Sequence, residues 1–93
     1  MRTDAEKEER EFRQKLPGLK VDIAIKRVIA TRDGRAVLRW ILADTGLERS
    51  SFNSNALMMA YQEGRRSVGV TLCERLKRLD SDSYRLMQEE SDE

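Results

Sequence analysis

Apolar residues along the chain fall into unequal stretches separated by capping and breaking residues, and the spacing within each stretch is helical. From Thr3 to Leu16 only Ala5, Phe12 and Leu16 are apolar, and glutamates stand four positions ahead of Arg10, Arg13 and Lys15. That pattern predicts a polar N-terminal helix held by i to i+4 charge pairs, with Pro17-Gly18 as its stop. So polar a helix docks weakly by itself, so it either orders against a partner or serves as a solubilising arm. Between Val21 and Ala30 the apolar residues Val21, Ile23, Ala24, Ile25, Val28 and Ile29 fit strand and helix locally. Helix is preferred, because no second segment reads as a pairing strand and a lone strand leaves its backbone groups unpaired.

Thr31 then stands where an N-cap belongs, with Asp33 in the first turn beside the positive end of the helix dipole. The helix it opens runs through Val37, Leu38, Ile41 and Leu42 to a C-terminal cap at Gly46. Trp40 falls about 60° from the middle of that apolar stripe, at the edge of a core or in an interface. Residues Leu47 to Asn53 form a connector, and Phe52 is a hydrophobic staple or an anchor into the core. Ser54 caps the longest element, in which Leu57, Tyr61, Val68, Leu72, Leu76 and Leu79 share one face over about 38 Å. Asp80 and Ser81 make a second capping cluster before a short helix carrying Tyr84 and Met87. The expected fold is all-α: a small helical bundle of four to five helices with one long central helix and a polar N-terminal helix. Residues 1–18 form the charged helix or arm, 19–88 the helical domain, and 89–93 a disordered acidic tail.

Ninety-three residues make one small domain that buries only about 60 to 65% of its unfolded surface, so association would supplement its stability. The net charge of +1 conceals an asymmetry: residues 20–79 hold twelve basic and six acidic side chains, residues 80–93 one basic and six acidic. A basic body can meet an acidic partner, and the acidic tail can meet a neighbouring copy or shield the body's own patch. Cys73 is the single cysteine and there is no histidine, which leaves no disulfide framework, no structural zinc and no activated nucleophile. No glycine-rich phosphate loop or metal-like spacing is present, and no cofactor is expected. No apolar run approaches a membrane span, and the charged first sixteen residues do not read as a signal peptide.

The least ordinary segment is Glu63-Gly64-Arg65-Arg66-Ser67-Val68-Gly69 inside the long helix. Each interior glycine costs about 1 kcal/mol relative to alanine, so two of them mark places where another surface approaches the backbone closely. Ala60 and Gly64 share a face that admits a neighbouring backbone, while Gly69 lies about 140° round the helix and serves a second neighbour or a bend. Those neighbours are either helices of the same domain or another subunit. Arg65 and Arg66 diverge by about 100°, and one reaching inward would pair with Asp33, Asp44, Glu48 or Glu63, or with a partner's acidic group. The interface candidates are therefore Trp40, Phe52, Ala60, Gly64, Arg65, Arg66 and Gly69. A rival reading takes Ala43 to Phe52 as the glycine-centred turn of a small helix-turn-helix DNA-binding regulator. Leu42 would crowd that turn, Asn55 would stand at an apolar anchor, and Ser50 to Ala56 carries no charge with which to meet DNA.

Thr31-Arg32-Asp33-Gly34-Arg35-Ala36-Val37-Leu38, Arg49-Ser50-Ser51-Phe52, the Glu63 to Gly69 segment, and Tyr84 with Met87 occur in an order that resembles a known family. It is the small structural-protein domain family of short-tailed bacteriophages first noted in a Bordetella phage, and the resemblance covers about residues 20 to 90. The resemblance implies a non-enzymatic virion component encoded among head and DNA-packaging genes, and it supplies no catalytic or ligand-binding residues. The expectation built on it places several copies around the portal or internal core, made in the host cytoplasm and assembled into the particle. Their partners are other virion proteins, with non-specific contact to packaged DNA and none to membrane.

Overall fold

A computed structural model of the chain describes residues 3–91. The described residues contain four helices: α1 (Asp4–Ile29), α2 (Arg32–Asp44), α3 (Ala56–Leu79) and α4 (Ser81–Glu90). Local capping chemistry sets most of the boundaries. The Thr31 side chain accepts the Gly34 N–H at the start of α2, and Asp80 does the same for Ser83 at the start of α4. Each satisfies a donor that the first helical turn cannot pair. Gly46, just past the Thr45 C-cap, has φ +73°, a conformation that favours glycine and turns the chain out of α2. The N-cap of α3 is Asn55, one residue beyond the expected Ser54, and its side-chain oxygen accepts from both Leu57 and Met58.

Two expectations are corrected here. Pro17-Gly18 does not end a helix; α1 continues through it to Ile29, which merges the polar N-terminal helix with the Val21–Ala30 segment and sets the helix number at four. Proline removes one backbone hydrogen bond at this exposed position, where water can take its place. The helix beyond it is tied to α3: Arg75 donates to the Gly18 carbonyl at 3.2 Å and to Asp22 at 2.7 Å. Glu89 and Glu90, expected in a disordered acidic tail, belong to α4 and Ser91 caps it; Asp92 and Glu93 lie outside the described residues.

The core is small. Ile29, Leu38, Leu42, Cys73, Leu76, Tyr84 and Met87 are buried together, with Ile25, Leu47 and Leu72 packed at the margin. They come from the last turns of α1, the middle of α2, the C-terminal half of α3 and α4. The first half of α1 and the first half of α3 therefore run past the core. The radius of gyration is 17.6 Å, against about 12 Å for a compact domain of this length. The accessible surface is 7361 Å², roughly 1,800 Å² above the expectation for a compact monomer of 10.8 kDa.

Among the described residues, one ion pair is inside. Arg35 lies on the same face of α2 as Leu38 and Leu42, and its guanidinium grips Glu90 with two parallel contacts of 2.9 Å and 2.8 Å while also donating to the Ile29 carbonyl at 3.0 Å. Arg35 and Glu90 side chains are only 9% and 8% exposed, so α1, α2 and α4 are joined by a desolvated ion pair. The Arg35 hydrogen bonds hold the Glu90 carboxyl below the usual carboxylate range against the opposing effect of burial. Arg39 adds contacts to the Met87 carbonyl and to Glu90.

Candidate interaction surface

The amino-terminal half of α3 outruns everything that could cover it. At about 1.5 Å per residue, α2 is about 20 Å long and α3 about 36 Å. The two are pinned where α2 ends: Arg65 donates to the Asp44 carboxylate and carbonyl, each at 2.7 Å, and its guanidinium lies 5.9 Å from the centre of the Tyr61 ring. Ahead of Arg65 only the connector accompanies α3, and it runs beside Met58, Tyr61 and Gln62 along one face. The remaining surface is open, including the side about 90° round the helix from the connector.

The two interior glycines answer differently. A Cβ on Gly69 would collide with Thr45 Oγ1 and sit 3.5 Å from Leu47, so this glycine lets the end of α2 close onto α3. A Cβ on Gly64 would meet nothing within 4 Å. Its notch is shaped by the chain and left empty by it. Leu57, Gly64 and Val68 lie within about 40° of one line on the helix, with Ala60 and Tyr61 on either side. All five are exposed, Leu57 to 84%. Burying a leucine contributes about 1.5–3 kcal/mol, and here that gain is unclaimed.

The remaining candidates divide in the same way. Phe52 is not the expected core anchor, since it is 82% exposed on the connector. Trp40, 67% exposed, stands at the rim of a groove of about 670 Å³ between α2, the connector and α4. Of the arginine pair, Arg65 joins Asp44, and Arg66 reaches Glu63 at 3.5 Å; both pairings are among those anticipated, and both are solvent-accessible and so weakly stabilising. The expected single apolar face of α3 is split: Leu76 is buried beside Gly69 and Cys73, whereas Leu57, Tyr61 and Val68 are not. The Ala43–Phe52 segment forms no helix-turn-helix, because eleven residues, 45–55, separate α2 from α3 where that motif uses three or four.

Arg35 and Glu90 escaped the sequence reading. Arg35 could have been found from its place on the Leu38–Leu42 stripe, where a charge needs a partner, and Glu90 from its position three residues after Met87. Cys73 is buried with its sulfur 3.0 Å from the Tyr84 hydroxyl, and burial followed by this contact pushes the Tyr84 pKa up to about 12. Among the described residues, no group of three or more acidic, cysteine or histidine side chains could hold a metal ion, and no helix is long and apolar enough to cross a membrane.

The chain is, in class, a small all-α bundle whose longer helices carry exposed apolar side chains. Residues 25–89 match the family described as Bbp19-like phage protein, about two thirds of the chain, and the protein belongs to that family. The match starts late in α1 and runs to Glu89, so it contains the core, the Gly64 notch and Gly69 but leaves out most of α1. No curated protein and no solved structure matches the chain.

Proposed function

We propose that the protein is a non-enzymatic structural or assembly component of the phage virion, attached at the portal or internal core of the head vertex through the open face of α3. What carries the reading is the Gly64 notch flanked by Leu57 and Val68, an apolar, close-approach surface that no part of the described chain fills. Membership in a phage protein family supports a place in a particle rather than in host metabolism. A helix or ridge of a larger virion protein can lie against the notch at short range, Tyr61 and Val68 covering its edges, with Phe52 and Trp40 as additional apolar contacts. Several copies arranged symmetrically around the vertex would each bury the same face and share the geometry that the Arg65–Asp44 contact fixes.

Quantitative mass spectrometry of purified particles tests this reading. The protein should be present at a fixed copy number per portal ring across preparations. Its absence from particles, or a salt-sensitive retardation of duplex DNA by the free protein with no association to head components, would reject the assembly role.

A further inference from the structure

Because α1 does not stop at Pro17, four apolar side chains that the sequence divides between two segments fall into one line. Phe12, Leu16, Leu19 and Ile23 recur at spacings of four, three and four residues, the seam of a two-stranded coiled coil. This line is not the one α1 turns to its own core. Ile25 and Ile29 pack inward and Asp22 reaches Arg75 on α3, on a side about 90–150° round the helix, while Phe12 and Ile23 are 58% and 51% exposed. Pro17 and Gly18 lie off the seam, where they obstruct nothing.

We propose that this seam pairs with the α1 helix of a second copy, antiparallel, with the two-fold axis passing between Pro17 and Gly18. In that register Phe12 meets Ile23 of the second copy and Leu16 meets its Leu19. The two polar residues that interrupt the extended seam answer each other: Glu9 falls opposite Lys26 of the second copy, and Ala5 opposite its Ala30. Charge along the helix selects the same direction. Residues 4–11 carry five acidic and two basic side chains, residues 13–27 five basic and one acidic, so antiparallel copies set acid against base and parallel copies set like against like. Lys26 is exposed and among the described residues no ion pair holds it, though its charge contributes to lowering the Asp80 pKa; Glu9 holds Arg13 of its own helix in an exposed pair at 2.6 Å and can share its carboxylate with a second cation. The surplus of roughly 1,800 Å² over a compact monomer leaves room for about 800 Å² per partner, the size of a standard interface. The surface is on α1, apart from the α3 face, so it stands whether or not the virion reading holds.

Cross-linking of the full chain decides it. Glu9→Cys and Lys26→Cys variants, mixed in equal amounts and mildly oxidised, should form a disulfide between one of each, with neither joining to itself. Sedimentation equilibrium should give twice the 10.8 kDa chain mass. Glu9→Lys turns two seam contacts from attraction to repulsion and should raise the dimer dissociation constant about tenfold, and adding Lys26→Glu should restore it. The exposed position of the seam means these variants keep the helical circular dichroism of the parent. Self-cross-linking of Glu9→Cys alone would show a parallel pair and overturn the proposal. So would a single-chain mass up to about 1 mM protein, where even millimolar affinity is visible, or a dimer that survives Leu16→Glu with Leu19→Glu and has some other surface at its interface.

Discussion

Replacing each interior glycine of α3 by alanine separates the notch that the protein uses on itself from the one it keeps open. At Gly64 the added methyl meets no atom within 4 Å, so the change reduces to intrinsic helix preference, a gain of about 1 kcal/mol. For a domain of this size that raises the midpoint of thermal unfolding by roughly 4–8 °C. At Gly69 the same gain is opposed by a collision with Thr45 Oγ1, which is held by its own 2.7 Å bond to the Leu42 carbonyl at the end of α2. Moving Thr45 disturbs the cap and the Gly46 turn. Overpacking of this kind costs about 1–3 kcal/mol, so Gly69→Ala should be destabilised by up to about 2 kcal/mol net and unfold at a lower temperature than the parent. Urea and thermal unfolding followed by circular dichroism measure both, with an unchanged urea slope as the check that only stability has moved. A loss of stability in Gly64→Ala would mean that the notch is already occupied in the free protein, and the reasoning about an open face would be wrong.

Other consequences can be measured on the same material. Glu90→Gln leaves the Arg35 guanidinium beside Leu38 and Leu42 without its counter-charge and should lower the urea midpoint by more than breaking the exposed Arg66–Glu63 pair does; an effect no larger than that of the exposed pair would place Glu90 back in a solvated tail. Glu90, Asp22 and Asp80 all have lowered pKa values, by hydrogen bonds from Arg35, Arg75 and the Ser83 N–H respectively. Their stabilisation is complete above the ordinary carboxylate values of 4.5 and 3.8 and is lost as pH falls through the lowered ones. The urea midpoint should accordingly fall from about pH 4.5 downward, and a midpoint flat to pH 3 would contradict the pairings. Trp40, exposed at the rim of its groove, should fluoresce as a water-exposed indole in the free protein and shift to shorter wavelength when a partner covers it; a buried-type emission in the free chain would contradict its placement.

Much of the fold was legible because its rules are local. Thr31, Asp80 and Gly46 announce themselves by the donors they satisfy or the backbone angle they permit, and each acts within four residues of its own position. Two of the misreadings share one cause, a partner far away in the chain. Pro17 reads as a stop unless Arg75 is known to tie Gly18 and Asp22 to α3, and Glu90 reads as tail unless Arg35, fifty-five residues earlier, is known to wait for it. The candidate surface was half legible. Two glycines in one helix signalled close approach, but only the length of α2 decides that Gly69 is filled from within while Gly64 is not. Phe52 shows the limit of pattern: an aromatic residue beside a helix start reads as an anchor until the path of the connector is known.

The proposed assembly role requires the Leu57–Val68 face to be bare in the free protein and covered in phage particles. Hydroxyl-radical footprinting of Leu57, Met58, Met59 and Tyr61, compared between free protein and purified particles, addresses it residue by residue. Strong modification of these side chains in the free protein and protection of Leu57 and Tyr61 in the particle is the predicted result. Equal modification in both states would leave the face without a partner and contradict the account.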